Sequence, residues 1–152
     1  MNPHIKLFEN HLFEEDLERI NFLMKQLSAN SPEVDWPTVE AVMKNGTIFV
    51  MRDTHPDVTK KHPRGLLIGK TTLIHSRKMF AFFGTIEDVV VDESYRGQGL
   101  GKLITNYAIE KAKELGMKYI DLTSAPHRVP ANNLYKSLGF ELRSTNPYRL
   151  KL

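Results

Sequence analysis

The run Arg96-Gly97-Gln98-Gly99-Leu100-Gly101 holds the residue types in this chain best suited to binding chemistry. It follows the apolar-rich stretch Ile86-Glu87-Asp88-Val89-Val90-Val91-Asp92 and opens a segment with helical periodicity. A strand that passes through a glycine turn straight into a helix is suited to cradling a phosphate. Glycine lacks the Cβ that would block positive φ and the close approach of a ligand. The first N–H groups of a helix have no intrahelical partner and can point at an anion. Arg96 adds a fixed charge and a fork of donors matched to phosphate.

Spacing narrows the choice of phosphate motif. A dinucleotide fingerprint requires glycine where Lys102 stands. A Walker A loop requires glycine at the place of Arg96 and Ser or Thr at the place of Leu103. The pattern that remains is Arg-x-x-Gly-x-Gly.

The elements that must position this turn follow from periodicity. His4 to Phe8 reads as a strand. Phe13, Leu17, Ile20, Leu23, Met24 and Leu27 recur at helical spacing, which predicts a helix over Leu12 to Ser28. Asp35-Trp36-Pro37 reads as a helix start, and Asn45-Gly46 as its end. Thr47 to Met51 is β-branched and apolar, hence a strand. Arg52 to Arg64 carries two prolines and two histidines and is expected to be an exposed loop. Gly65 to Ile74 and Lys78 to Val91 read as long strands joined around His75-Ser76-Arg77. A helix from Gly99 to Leu115 is capped by Gly116. Tyr119 to Thr123 is a strand, Pro130 to Leu138 a short helix closed by Gly139, and Phe140 to Leu150 a final strand or hairpin. The order β-α-α-β-β-β-α-β-α-β implies an α+β fold with a mixed sheet.

A second motif lies downstream, Asn132-Asn133-Leu134-Tyr135-Lys136-Ser137-Leu138-Gly139-Phe140. With the glycine turn at this distance before it, the chain resembles the GNAT superfamily of N-acetyltransferases over nearly its whole length. The opening Ile86-Glu87-Asp88 is similar to that of glucosamine-phosphate N-acetyltransferases, whereas Leu122 to Pro126 and the Asn132 helix resemble uncharacterised bacterial members more closely. The resemblance implies a GNAT fold: a mixed, mostly antiparallel sheet of six to seven strands, a splayed central parallel pair, and about four helices. It also implies acetyl-CoA as cosubstrate, without a metal.

On this resemblance, the splayed strands are Ile86 to Val91 and Tyr119 to Thr123. Their separation frees backbone groups of Val89, Val90 and Val91 for the pantetheine arm. An N–H near Val89 would polarise the thioester carbonyl. Arg96, Gly97, Gln98, Gly99, Leu100, Gly101 and Lys102 are the expected pyrophosphate site. Tyr135 is the candidate general acid toward the CoA sulfur, since a phenol is protonated at neutral pH. Asn132 shares its helix face and is a candidate contact to the pantetheine arm. Glu87 is the preferred general base, with Asp88 and a water chain as alternatives. Simple strand alternation puts Glu87 on one face with Val89 and Val91, and Asp88 on the other with Val90, unless a bulge intervenes. Phe80, Phe82 and Phe83, with Trp36, are candidate acceptor-side residues, as are His127 and Arg128.

Composition bounds the remainder. At 152 residues, one domain over the whole chain is expected. There are no cysteines, so disulfides and a cysteine nucleophile are excluded. The net charge of +3, with acids and bases interleaved, is not that of a nucleic-acid-binding protein. His55, His62 and His75 lack metal-ligand spacing. No segment has the length and apolarity of a membrane span, and a cytoplasmic location is the default expectation. The expected activity is direct acetyl transfer to a primary amine of a small molecule such as an amino sugar, a polyamine or an amino-acid-like compound. Transfer to a protein lysine or N-terminus, and a non-catalytic acyl-CoA sensor, are the alternatives. The acceptor and the oligomeric state, including a homodimer, stay open.

Overall fold

The computed structural model describes residues 2–152. A single sheet forms the middle layer, with strand order β1-β2-β3-β4-β5. The strands are β1 (Ile5–Glu9), β2 (Gly46–Asp53), β3 (Leu66–Lys78), β4 (Ala81–Val91) and β5 (Ile120–Leu122). The helices are α1 (Leu17–Leu27), α2 (Trp36–Asn45), α3 (Pro56–Thr59), α4 (Leu100–Glu114) and α5 (Val129–Ser137). The first four strands pair antiparallel, and β4 pairs parallel with β5.

Helices cover both faces of the sheet. Every residue of β2 is buried, as expected of a strand sandwiched on both faces. On one face, Ile20 and Leu23 of α1 and Val39 of α2 pack on Ile48, Val50, Leu67 and Val90. On the other, Leu100, Ile104, Ala108 and Ala112 of α4 pack on Phe49, Met51, Ile68, Leu73 and Ile86. The four α4 residues recur every fourth position and so form one stripe. Asp35 caps α2 by accepting from the Thr38 amide at 3.0 Å, with Pro37 in the first turn. Gly116, at φ +71°, ends α4 in a Schellman motif: its amide bonds Lys113 O and that of Met117 bonds Ala112 O, both at 2.9 Å.

The structure corrects several expectations. The described residues form five strands, not six to seven, and five helices rather than about four. The extra helix is the single turn α3. The missing strands belong to the tail: Phe140 to Leu152 contains no strand. Its Leu142, Tyr148 and Leu150 are 98%, 90% and 83% exposed, so no apolar contact compensates the ordering of that segment. The parallel pair therefore lies at the sheet edge rather than in its centre. Arg52 and Asp53 are not loop residues but the buried end of β2. Arg52 tolerates burial because Asp16 pairs with it at 2.6 Å and Gly65 O and His11 O accept two more of its donors, although its Nε has no partner. The β3–β4 turn falls at Met79-Phe80, later than His75 to Arg77, because the β3–β4 ladder runs on to Lys78↔Ala81.

Candidate functional site

The β4–β5 ladder ends at Ile86↔Leu122, while β4 continues to Val91. Beyond that point the chain after β5 leaves the sheet, and the two strands part. The edge of β4 from Glu87 to Val91 thus has no β5 residue beside it. On its other edge β4 stays paired with β3, through Thr72↔Glu87, Lys70↔Val90 and Gly69↔Val91.

That register contains a bulge. Asp88 and Val89 together oppose Thr71, and Asp88 has φ +52°, unusual for a non-glycine residue. The Thr71 hydroxyl donates to Glu87 O at 3.2 Å and ties down the irregular backbone. The bulge overturns the simple alternation. By register, Glu87 shares the α1–α2 face with Thr72, Lys70 and Val90, while Val89 and Val91 pack toward α4. Asp88 also reaches the α1–α2 face, where it pairs with Lys70 at 3.3 Å.

After β4, Asp92 caps a short turn over Glu93–Tyr95 by accepting from the Ser94 amide at 2.8 Å. Burial raises the Asp92 carboxyl, but the Ser94 amide and the Arg19 guanidinium outweigh it and hold the group below its ordinary value. The Tyr95 hydroxyl donates to Asp53 at 2.8 Å, and burial together with that carboxylate pushes its pKa up to about 12. These contacts fix the turn that presents Arg96 to Lys102.

In that turn Gly97 and Gly99 have φ of +78° and +74°. A Cβ at either would meet no protein atom within 4 Å. Backbone conformation, not crowding, demands glycine there, and the space beside each is open. Leu103 is the first residue of α4 whose amide bonds back to the chain, to Gly99 O at 3.0 Å. The amides of Leu100, Gly101 and Lys102 therefore point out of the helix N-terminus without intrahelical acceptors. Lys102 and Gln98 are exposed beside them. Two left-handed glycines, a free helix N-terminus and an open space suit a diphosphate. Arg96 is partly engaged already: its Nε donates to Val91 O at 3.0 Å and one Nη to Gln26 at 3.3 Å. It braces the turn against β4 and α1, and the Val91 carbonyl is occupied by it. Gly101 is helical, and a Cβ there would stand in ordinary contact, 3.5 Å from Leu134.

On α5, Tyr135 sits edge-on to Phe140, with ring centroids 6.0 Å apart. Burial raises its phenol, Arg128 opposes, and the negative charge of Glu87 raises it further. The phenol thus stays protonated at neutral pH. The Glu87 charge acts on the Tyr135 phenol from β4. Glu87 itself is raised by partial burial and by Asp88. The Asn132 amide donates to Ala125 O at 2.9 Å and Arg128 O at 3.1 Å, which holds the loop leading into α5. Arg128 in turn donates to Leu27 O at 2.9 Å and joins α5 to the end of α1. His127 is exposed nearby.

The phenylalanines do not gather at an acceptor site. Phe80 is 91% exposed at the β3–β4 hairpin tip. Phe82 lies under Arg77, and Phe83 stacks on Tyr119 at 5.0 Å. Trp36 packs against the α1–α2 core. A concavity of about 840 Å³ runs along β5 and α5 and includes Tyr135 and Asn132 but none of Arg96 to Lys102. Sequence reasoning missed Lys70, which is 5% exposed and faces Asp88 from the neighbouring strand. A lysine within the apolar alternation of β3 was its only signal. No cluster of three metal-ligating side chains occurs among the described residues. No helix among them is long and apolar enough to cross a membrane.

Comparison with known proteins agrees with this geometry. The pattern of the acetyltransferase (GNAT) family matches residues 24–140. The chain is 37% identical over 81 residues to a glucosamine 6-phosphate N-acetyltransferase of Trypanosoma brucei brucei, covering 51% of this chain and 53% of that protein. It is 31% identical over 124 residues to a histone acetyltransferase of Glycine max, covering 76% of this chain and 50% of that one. The matches span only 25% to 53% of the first curated relatives' own lengths. Among solved structures, a Trypanosoma brucei acetyltransferase superposes with a TM-score of 0.73 at 28% identity, over 97% of this chain and 99% of that one.

Proposed function

The chain belongs to the acetyltransferase (GNAT) family, and from that premise we propose that it is a single-domain enzyme transferring acetyl from acetyl-CoA directly to a primary amine of a small molecule. The observation that carries this reading is the pairing of a free α4 N-terminus, opened by Gly97 and Gly99 in left-handed conformation, with a β4 edge that β5 leaves unpaired. The first suits the pyrophosphate and the second the amide-bearing pantetheine arm.

When bound, acetyl-CoA supplies an activated acyl carbonyl and a thiol leaving group. The chain supplies the rest. The amides of Leu100, Gly101 and Lys102 and the backbone of Gly97 to Gly99 hold phosphate oxygens, with Arg96, Gln98 and Lys102 around them. The β4 edge at Val89, Val90 and Val91 orients the arm through those main-chain groups that neither β3 nor, at Val91 O, Arg96 engages. The Val89 N–H is the donor for charge developing on the acyl oxygen. It is fixed by the bulge and needs no reorganisation, which is the condition for a large electrostatic contribution. The raised Glu87 carboxylate takes a proton from the substrate ammonium and frees the neutral amine to attack, a role that favours a base with a pKa moved toward neutrality. The Tyr135 hydroxyl, protonated at neutral pH, returns a proton to the departing sulfur. Asn132 supports this by holding the loop into α5.

The test is thiol release from acetyl-CoA in the presence of amino sugars, polyamines and amino acids. Amine-dependent release with an N-acetyl product supports the reading, and tight binding without turnover of any amine favours an acyl-CoA sensor. A second reading, transfer to a protein amine, draws on the similarity to the histone acetyltransferase. Lysine-containing peptides in the same assay separate it from the first.

A further inference from the structure

A cavity of about 80 Å³ lies between α1, α2 and the sheet. Its walls are apolar: Leu12, Ile20, Met24, Val39 and Ile48 among them. Its polar end is formed by Lys70 and Asp88. The Lys70 side chain is 7% exposed, whereas that of Asp88 is 43% exposed. The Lys70 ammonium has three donors. One reaches Asp88 at 3.3 Å and one the Met24 sulfur at 3.8 Å, a weak acceptor. A third has no acceptor. A buried ammonium with an unfilled donor is costly unless a ligand completes it. The carboxylate of Asp88, at the rim, has room for a further donor. It also stands next to Val89 on the bulge.

We propose that this cavity is the acceptor pocket and that it selects a free α-amino acid with a small branched aliphatic side chain. The inference rests on the amine-acetyltransferase reading above and names its substrate class. The spacings of substrate and pocket charges match. An α-amino acid carries its ammonium and carboxylate about 3 Å apart across a single carbon. Lys70 and Asp88 present the complementary charges at 3.3 Å. The substrate ammonium meets Asp88 beside Val89, and its carboxylate takes the free donor of Lys70. The side chain then enters the apolar cavity. An engineered apolar cavity of about 150 Å³ holds the six carbons of benzene, so 80 Å³ holds about three carbons, the isopropyl group of valine. In the reaction the substrate ammonium gives up two protons, one to solvent and one to the CoA sulfur, as its nitrogen forms the new N–C bond. The C–S bond breaks, and CoA thiol and one proton are released. Burial lowers the Lys70 pKa in the free protein, and Asp88 counters this. A substrate carboxylate would favour the charged lysine further.

Four amines decide the matter in the thiol-release assay: L-valine, L-valinamide, isobutylamine and glucosamine 6-phosphate. Isobutylamine is valine without its carboxylate, and valinamide carries the neutral group a peptide N-terminus would present. The expected result is a kcat/KM for valine at least tenfold above both. Lys70→Met raises the KM for valine at least tenfold more than the KM for isobutylamine, and keeps acetyl-CoA affinity as the sign of an intact fold. Val39→Phe, which fills the cavity, shifts preference from valine to glycine. If valinamide or isobutylamine equals valine, or Lys70→Met does not distinguish them, the proposal is overturned. If glucosamine 6-phosphate is acetylated and valine is not, the proposal is overturned and the acetyltransferase reading stands. If acetyl-CoA binds and neither these four amines nor the wider panel of amino sugars, polyamines and amino acids releases thiol, both are overturned.

Discussion

Replacing Gly99 by alanine separates the two functions that a left-handed glycine can serve. Gly99 sits at φ +74° at the entrance to α4, and no protein atom lies within 4 Å of a Cβ built there. The variant therefore suffers no clash in the free protein. Its cost is the left-handed conformation itself, about 1–2 kcal/mol for a residue with a Cβ. For a chain of this length, each kcal/mol lowers Tm by about 2–4 °C, so a fall of roughly 2–8 °C is expected. Binding should suffer separately. The methyl group stands in the space proposed for the pyrophosphate and displaces its oxygens from at least one amide. A hydrogen bond to a charged group is worth about 1.5–3 kcal/mol, a roughly ten- to hundredfold loss of CoA affinity. Gly116 is the matched control, at φ +71° with nothing within 4 Å of its Cβ, at the opposite end of the same helix. Gly116→Ala should lose a similar Tm with CoA affinity intact. The assays are thermal denaturation and calorimetric titration with CoA. Equal CoA affinities for the two variants would refute the pyrophosphate assignment. A Tm loss far above 8 °C for Gly99→Ala would refute the claim that conformation alone demands glycine there.

Other outcomes follow from the same geometry. Tyr135→Phe should lower kcat by about 10²-fold or more with acetyl-CoA affinity unchanged, the signature of a lost proton donor. Glu87 acts as a base only when ionised, and partial burial and Asp88 raise its pKa above 4.5. The kcat/KM should therefore climb as pH rises through that raised value, and Glu87→Gln should lower the plateau and abolish this limb. The Asp92 carboxyl is held below 3.8, so its contribution to stability is complete above that pH and lost as pH falls through the lower folded value. The Tm difference between the wild type and Asp92→Asn should accordingly close in acid. Asp16→Asn leaves the Arg52 charge buried, with a side chain 2% exposed. A loss of about 3 kcal/mol, the lower end for a broken buried pair because two carbonyls still bind Arg52, predicts a Tm lower by roughly 6–12 °C.

The parts of the molecule that sequence revealed are those where local chemistry restricts the residue type. Gly97, Gly99, Gly116 and Gly139 all adopt positive φ, and each had marked a turn or a helix end. The α4 stripe from Leu100 to Ala112 was visible because burial against the sheet imposes its period. What stayed hidden depends on tertiary partners. Arg52 resembled the first residue of a polar loop because its partner Asp16 lies 36 residues earlier. Lys70 and Asp88 come together only through the β3–β4 register, and the bulge that aims Asp88 has no glycine to announce it. The tail failed in the other direction. Tyr148, Leu150 and Leu152 alternate as a strand should, yet a strand needs a neighbouring edge, and in this structure Pro147 and its exposed neighbours lie on none.

The most direct test of acetyl transfer is a mixture of the enzyme, acetyl-CoA labelled in its acetyl group, and a panel of small amines, followed by free thiol and by product mass together. Thiol release that requires an amine, matched mole for mole by labelled N-acetyl product and greatly reduced in Tyr135→Phe, is the predicted result. Saturable acetyl-CoA binding with neither thiol nor N-acetyl product from any amine would contradict it.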